Sequence, residues 1–156
     1  MNYLSKRRLP LIGCLVLGLV TLLWALLPAC GQAPGPPLEA KVTRVIDGDT
    51  AELAGGARVR FLGIDAPEME RDGKPADFLA HQSKDYVAGL IQGKTVRLEY
   101  DRERYDRYGR LLAYLYLPDG AMVNLLVVRQ GLARVYSQAP NLRHQETLNA
   151  AQQEAM

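Results

Sequence analysis

Two short turn sequences place four carboxylates close together along the chain. The segment DGD contributes Asp47 and Asp49, and the segment DAPE contributes Asp65 and Glu68. Carboxylate oxygens are the ligands that hard cations such as Ca²⁺ and Mg²⁺ prefer. If neighbouring strands bring the two turns together, one carboxylate from each can hold such an ion, with water and a substrate phosphate completing its shell. Taken alone, each segment is also an ordinary turn signal.

An EF-hand does not explain the DGD segment. A calcium loop beginning at Asp47 needs Asp or Asn at its fifth position, Gly at its sixth and Glu at its twelfth. The sequence has Ala51, Glu52 and Arg58 at these positions. The carboxylates therefore belong to a site of another kind.

Arginines accompany the carboxylates. Arg60 precedes Asp65 by five residues, and the segment DRYGR contributes Arg107 and Arg110. A guanidinium can bind two phosphate oxygens at once and can stabilise the extra charge of a five-coordinate phosphorus. Glu68 is then the spare carboxylate that positions or deprotonates an attacking water. This set of residues is sufficient for phosphodiester hydrolysis.

The first thirty residues differ from the rest of the chain. A basic cluster, Lys6 to Arg8, precedes an uncharged apolar run from Leu9 to Leu27. This order predicts a signal peptide or an uncleaved membrane anchor. The run is longer than the usual h-region of about 7–15 residues and close to the roughly 17–25 residues that span a bilayer. Both alternatives place the domain outside the cytoplasmic membrane.

A cysteine follows the apolar run. The segment LPAC, which ends at Cys30, resembles the bacterial lipobox, in which the cysteine is acylated and becomes the new N-terminus. The segment ending at Cys14 fits that box more closely, but too few apolar residues separate it from the basic cluster. We therefore predict lipidation at Cys30. A mature protein beginning there has no cysteine left for a disulfide or a zinc site.

The net charge of the chain belongs to this N-terminal segment. Three of the 19 basic residues and none of the 17 acidic residues lie in the first thirty positions, which leaves 16 basic against 17 acidic residues, a formal charge of about −1. A nucleic-acid partner therefore needs a local basic patch. The segment from Tyr100 to Arg110 alternates arginines with tyrosines, which suits single-stranded nucleic acid. Its acidic residues leave a solvated hairpin as the alternative.

Short strands dominate the predicted domain, which follows a Pro/Gly linker at residues 31–37 and covers residues 38–156. Strands within residues 41–64 form a three-stranded meander, and two more strands are predicted at 95–100 and 110–117. A closed barrel hides the edges of such short strands. We expect Tyr114 and Tyr116, which alternate with leucines, to pack in this barrel.

Three helices complete the predicted α+β domain. The first covers residues 74–93 and ends at a glycine, and the second covers residues 124–131 with Asn124 as its N-cap. The third lies within residues 141–156. His81 and His144 fall in or near these helices and are interpreted as surface or boundary residues. Two isolated histidines do not make a zinc site.

Five segments together resemble the staphylococcal nuclease, or thermonuclease, family in the same order. They are VIDGDT, RVRFLGIDAPE, DRYGRLLAYLY, MVNLLVVRQGLARV and a later PN, and they cover residues 41–141. The resemblance implies a five-stranded OB-fold barrel with three helices. It also implies a Ca²⁺-dependent endonuclease that acts on DNA and RNA and leaves 3′-phosphates.

The resemblance also implies roles for individual residues. Asp49 and Asp65 match the calcium ligands, and Ala66 matches a residue that contributes its backbone carbonyl. Glu68 matches the residue that engages the attacking water. Arg60 and Arg110 match the two phosphate-binding arginines, and Arg107 and Tyr108 match residues that contact the nucleotide. Asp106 matches a structural acid. Tyr136 is the one tyrosine available in a nucleotide-contacting segment that is one residue shorter than in the family.

We therefore predict a monomeric, membrane-tethered, extracytoplasmic nuclease that prefers single strands and needs no protein partner. The alternative is a non-catalytic OB-fold module that binds nucleic acid or protein. Such a module is expected to have lost the acidic and arginine residues of the site, and all of them are present in this sequence.

Overall fold

A computed structural model describes residues 35–156. Five strands close into a barrel in the order β1-β2-β3-β6-β5. Neighbours pair antiparallel, except that β3 and β6 are parallel. The barrel strands are β1 (Glu39–Val45), β2 (Thr50–Leu53), β3 (Arg58–Phe61), β5 (Thr95–Glu99) and β6 (Leu111–Tyr116). The predicted five-stranded OB-fold barrel is confirmed.

Two very short strands form a second sheet beside the barrel. Strand β4 (Ile64–Asp65) pairs antiparallel with β7 (Arg134–Val135), so that Asp65 lies opposite Arg134. The backbone N–H of Tyr136 continues this pairing by donating to the carbonyl of Gly63 at 2.9 Å. The small sheet therefore attaches the segment after the second helix to the turn that contains Asp65.

Three helices pack around the barrel: α1 (Ala80–Ile91), α2 (Val123–Arg129) and α3 (Gln145–Ala155). Helix α1 contacts β1 and α2, and α2 also contacts β6 and α3. The number and order of the helices agree with the prediction. Among residues 35–156, no helix is both long enough and apolar enough to cross a membrane.

Two details of the predicted helices are wrong. Helix α1 begins at Ala80 instead of residue 74, because the preceding Leu79 has a left-handed backbone with φ 68° that a helix cannot continue through. Asn124 is not the N-cap of α2, which is Met122. The side chain of Asn124 is buried, donating to the Leu62 carbonyl at 2.8 Å and accepting from the Leu115 N–H at 2.9 Å.

The core fills the barrel and the space beneath the helices. Strand β6 is its centre, because five of its six residues are buried. Tyr114 and Tyr116 are buried as predicted, at 1% and 9% exposure, but they lie on the outer face of the barrel. Their register partners on β5 are Glu99 and Arg97, and the Tyr114 ring contacts that of His144, directly before α3. Strands β3 and β5 alternate between buried and more exposed residues, as in β5, where Val96 and Leu98 face inward.

Candidate active site

The turn between β1 and β2 carries Asp49 into the interior of the protein. Asp49 is 1% exposed, and its backbone carbonyl accepts from the N–H of Phe61 at 2.7 Å. Its Oδ2 accepts from the N–H of Ala66 at 2.7 Å, and its Oδ1 accepts from the hydroxyl of Thr50 at 3.0 Å. The DGD turn and the DAPE turn are therefore joined directly through the Asp49 carboxylate.

Arg60 lies between the two proposed metal ligands. One guanidinium nitrogen forms an ion pair with Asp49 Oδ1, and the other donates to Asp65 Oδ1 at 2.9 Å. The Arg60 side chain is 18% exposed, so these charges interact with little screening by water. Two carboxylates that are 16 residues apart in sequence thus converge on a single positive charge.

A second arginine binds the other oxygen of Asp65. Arg134 donates to Asp65 Oδ2 from Nε at 3.0 Å and from Nη2 at 2.7 Å. Burial opposes the charged form of Asp65, but the hydrogen bonds from Arg134 and Arg60 outweigh it and lower the pKa of this carboxyl. These contacts therefore favour the charged form of Asp65.

Asp47 has a different environment from Asp49. Its Oδ1 accepts from the N–H of Asp49 at 3.0 Å, which stabilises the turn. Burial raises the pKa of Asp47, and the nearby Arg60 and hydrogen bonds from Thr50 offset this only in part. The role of Asp47 is therefore to stabilise the conformation of the turn.

Glu68 lies on the exposed side of the site, in the loop that follows β4. Its backbone is held in place by Asp77, whose Oδ2 accepts from the Glu68 N–H at 3.1 Å, while the Asp77 N–H donates to the Glu68 carbonyl at 2.9 Å. The Glu68 carboxylate takes no part in these backbone hydrogen bonds, and Glu68 lines a surface cleft.

That cleft has a volume of about 530 Å³ and contains most of the other predicted residues. Arg60, Arg110 and Glu68 line it together with the nucleotide-contacting candidates Arg107, Tyr108 and Tyr136. Asp49, Asp65 and Ala66 are not among the lining residues, and they connect to the cleft through Arg60. The structure therefore places nine predicted residues in one continuous arrangement.

Asp106 positions Arg110 within the cleft. Its carboxylate accepts from Arg110 Nε at 2.6 Å and from the backbone N–H groups of Arg110 and Tyr108, both at 2.9 Å. Burial opposes the charged form, but the Arg110 hydrogen bonds outweigh it and lower the pKa of Asp106. The Arg107 guanidinium lies 4.8 Å from the Tyr108 ring centroid, so that arginine and aromatic ring form one exposed surface.

Three residues near the site were not found by sequence reasoning. Arg134 and Asp77 contact site residues that are 69 and 9 positions away, and nothing in their own segments signals this. The third is Ser83 of α1, which packs against Gly48 of the DGD turn. A Cβ on Gly48 would lie 1.9 Å from Ser83 Oγ and 2.6 Å from the Ala66 Cβ.

The fold and site define an OB-fold protein whose carboxylates and arginines are grouped around one surface cleft. A family described as "Staphylococcal nuclease homologue" matches residues 58–156. The chain is 37% identical to a thermonuclease of Staphylococcus hyicus over 118 residues, which cover 74% of this chain and 69% of that relative. It is 38% identical to a thermonuclease of Staphylococcus intermedius over 117 residues, which cover 73% and 69%.

A third relative is an uncharacterized endonuclease of Escherichia coli O157:H7, which is 41% identical over 104 residues, or 65% of this chain and 63% of the relative. The chain belongs to the staphylococcal nuclease family. The predicted enzyme class, a nuclease of the hydrolase type, is confirmed. The predicted signal or anchor at residues 1–30, the lipidation site Cys30 and the first part of the linker lie outside the described residues.

Proposed function

We propose that the protein is a Ca²⁺-dependent endonuclease that hydrolyses phosphodiester bonds in DNA and RNA and leaves 3′-phosphates. The observation that carries this proposal is the convergence of Asp49 and Asp65 on Arg60, with Arg110 and Glu68 lining the adjoining cleft. The family membership supports nucleic acid as the substrate.

The residues present fit a hard cation. The donors at the junction of the two turns are carboxylate oxygens, and they already converge on one positive charge, the Arg60 guanidinium. Residues 35–156 contain no cluster of three or more acidic, histidine or cysteine side chains that could hold a metal. Two carboxylates make a modest site, which suits an ion whose shell is completed by water and a substrate phosphate.

Asp49, Asp65 and the backbone carbonyl of Ala66 would hold the ion. When bound, Ca²⁺ supplies Lewis-acid polarisation of a phosphate oxygen and neutralises part of its negative charge. The hydrogen bonds from Thr50 and from the Ala66 N–H orient the Asp49 carboxylate, and Arg134 orients that of Asp65. This support matters because carboxylates that are held in place lose less entropy when they bind a ligand.

Arg60, Arg110 and Glu68 act on the reacting phosphate. The two guanidiniums donate hydrogen bonds to its equatorial oxygens and stabilise the charge that builds up in the five-coordinate state. The Glu68 carboxylate accepts a proton from water as the water oxygen forms its bond to phosphorus. The bond from phosphorus to the 5′-oxygen breaks, the leaving oxygen takes a proton from solvent water, and the products are a 3′-phosphate and a 5′-hydroxyl.

The cleft favours unpaired bases. Tyr108 is 68% exposed and Tyr136 is 53% exposed, and both line the cleft beside Arg107. Base–aromatic stacking of this kind requires bases that have left a duplex, which supports a preference for single-stranded DNA or RNA.

The N-terminal segment gives the proposed location. The basic cluster and apolar run of residues 1–30 support export and attachment to the membrane, either through a lipid on Cys30 or through an uncleaved helix. Residues 31–37 would link this anchor to a nuclease domain over residues 38–156. Mass spectrometry of the membrane-bound form separates the two anchors, because an intact Met1 start excludes lipidation at Cys30.

The function is tested by incubating the purified full chain with end-labelled single-stranded DNA and RNA, with Ca²⁺ or with a chelator. We expect cleavage only with Ca²⁺, and the product ends should become substrates for a 3′-phosphatase. A Glu68→Gln variant should lose about 10²–10⁴-fold in kcat. Glu70→Gln is the matched control, since Glu70 lies two residues further along the same exposed loop. Full activity of the Glu68 variant would remove Glu68 from its role.

A further inference from the structure

A second concavity lies next to the catalytic cleft. This outer groove has a volume of about 860 Å³ and is lined by Asp65, Glu68, Arg134 and a set of apolar side chains. Glu68 lines both the cleft and the groove, and Arg60 of the cleft donates to Asp65 of the groove. The catalytic residues therefore form the boundary between two adjoining binding spaces.

Phe78 is the most unusual residue of the outer groove. It is 87% exposed, although a phenylalanine normally buries its ring. The lining of the groove also includes the apolar residues Val128, Leu132 and Ala133. An exposed aromatic ring in a partly apolar groove is a suitable place for a nucleobase, since every base has a π-face.

The backbone on both sides of Phe78 is constrained. On one side, the reciprocal hydrogen bonds between Asp77 and Glu68, at 3.1 and 2.9 Å, hold the loop next to the catalytic carboxylate. On the other side, Leu79 has a left-handed backbone with φ 68°, a conformation that costs free energy for a branched side chain. Such strain is concentrated at functional positions. The backbone that carries Phe78 is thus constrained on both sides, next to the segment that contains Glu68.

The cleft and the groove differ in charge. The cleft has three arginines, which balance the formal charge of its three acidic residues and can bind phosphates: Arg60, Arg107 and Arg110 against Glu68, Glu103 and Asp106. The groove has only Arg134, which is already paired with Asp65, and it also contains Glu68 and Asp77. A phosphate is disfavoured among these carboxylates, whereas an uncharged sugar and base are not.

We propose that the outer groove binds the nucleoside on one side of the scissile phosphate, with its base stacked on Phe78, while the nucleoside on the other side occupies the arginine-lined cleft. This inference rests on the proposed nuclease function. It follows from the continuity of the two spaces through Glu68, because a chain whose phosphate meets Arg60 and Glu68 must leave the cleft on both sides. It makes Phe78 a binding residue for one particular base.

The test uses dinucleoside monophosphates, which have a single scissile bond. Dithymidine monophosphate is compared with two analogues in which the 5′ or the 3′ thymine is missing and the sugar is kept. Full-length wild type, Phe78→Ala, Phe78→Leu and Phe78→Trp are assayed for kcat/KM with Ca²⁺. Leu38→Ala serves as the control, because Leu38 is 70% exposed and lines neither the cleft nor the groove.

We expect Phe78→Ala to lower kcat/KM for dithymidine monophosphate by about tenfold, as for the loss of one stacked base. Phe78→Ala should lower kcat/KM by the same factor for the analogue whose remaining base occupies the groove. For the analogue that lacks that base, kcat/KM should be the same in Phe78→Ala and wild type. Phe78→Trp should retain wild-type values, Phe78→Leu should fall between, and Leu38→Ala should leave all three substrates unaffected.

Four results would overturn the inference, and a fifth would overturn the nuclease proposal on which it rests. An equal loss on all three substrates indicates a general effect on the site, and no loss on any of them excludes Phe78 from binding. A change in sedimentation of Phe78→Ala without a substrate-specific effect assigns the groove to a second copy of the chain. If the wild type cleaves none of these substrates and also fails to cleave single-stranded DNA, the nuclease proposal itself fails. If the wild type cleaves long single-stranded DNA but none of these substrates, and Phe78→Ala has the wild-type kcat/KM on that DNA, only the proposal for the groove is rejected.

Discussion

Two clusters of arginines and carboxylates join distant parts of this chain, and their surroundings differ. The catalytic cluster consists of Asp49, Asp65, Arg60 and Arg134. Its centre is buried, since the Asp49 side chain is 2% exposed and that of Arg60 is 18% exposed, whereas Arg134 at its edge is 77% exposed. Its members come from the first turn, from β3 and from the small sheet of β4 and β7.

The second cluster attaches the last helix to the barrel, and we call it the helix-anchor cluster. It consists of Glu99, Asp101, Arg143 and His144. Glu99 Oε1 lies 2.8 Å from His144 Nε2 and 3.2 Å from Arg143 Nη1, and Asp101 accepts from the Arg143 N–H at 3.0 Å. The Arg143 side chain is 48% exposed, so water screens part of this cluster.

The difference indicates what each cluster is for. Ion pairs with a solvent-exposed partner, such as those of Arg143, contribute little to stability. A buried pair such as Asp49–Arg60 is costly to desolvate and is often no more stable than apolar packing. The Asp49–Arg60 pair is therefore better explained by the proposed phosphodiester chemistry than by the stability it adds. We therefore expect the same substitution to lower activity strongly in the catalytic cluster and to leave activity unchanged in the helix-anchor cluster.

The largest expected effect comes from Arg60→Lys, compared with Arg143→Lys. Lysine keeps the charge at both positions but loses the planar fork that reaches two oxygens at once. We expect Arg60→Lys to lower kcat by about 10²–10³-fold, as for the loss of one donor to the transition state. Arg143→Lys should keep wild-type kcat. Steady-state rates on single-stranded DNA measure both, and comparable rates for the two variants would contradict the division between the clusters.

Some parts of this comparison were predictable from sequence. The barrel followed from alternating strands and turn signals, which are local properties. Asp49, Asp65, Arg60 and Arg110 lie in short segments whose residue types indicate phosphate chemistry. These features are local because a turn or a strand is encoded within about ten residues.

Long-range contacts were not predictable in the same way. The segment around Arg134 predicts only a short strand, and its pairing with Asp65 depends on the sheet of β4 and β7. Asn124 has the residue type of an N-cap, but its side chain instead satisfies Leu62 and Leu115 in the core. In each case tertiary structure decides between two roles that the local sequence allows equally.

An intermediate effect is expected on stability, at the base of the catalytic cluster. Gly48 is the glycine of the DGD turn, and the structure gives a steric reason for a glycine there, because an added Cβ would overlap Ser83 Oγ and the Ala66 Cβ. We expect Gly48→Ala to lower the free energy of unfolding by about 1–3 kcal/mol, as for overpacking elsewhere. Denaturant unfolding measures this change.

Gly89 is the matched control for Gly48. It lies in the interior of helix α1, and a Cβ there would meet nothing within 4 Å. Gly89→Ala should therefore stabilise the protein by up to about 1 kcal/mol through helix propensity alone. If Gly48→Ala were as stable as Gly89→Ala, the close packing of α1 against the catalytic turn would not be a constraint on the site.

The smallest expected effect concerns the helix-anchor cluster and its response to acid. Burial opposes the charged form of Glu99, but hydrogen bonds from His144 and Arg143 outweigh it and lower the pKa of this carboxyl. A carboxyl whose pKa is lower in the folded state stabilises the protein above its unfolded pKa, near 4.3. This contribution is lost as the pH falls through the folded-state pKa.

Glu99→Gln should remove that contribution. We expect a loss of at most about 1 kcal/mol near pH 7, because water screens part of the cluster. The difference from wild type should disappear at a pH below the folded-state pKa, where Glu99 is protonated in both states. Denaturant unfolding at a series of pH values measures this, with Glu52→Gln, from the partly exposed pair with Arg44, as the control for a lost charge. A pH-independent difference would mean that Glu99 acts by packing, and kcat below wild type at neutral pH would connect this cluster to the catalytic one.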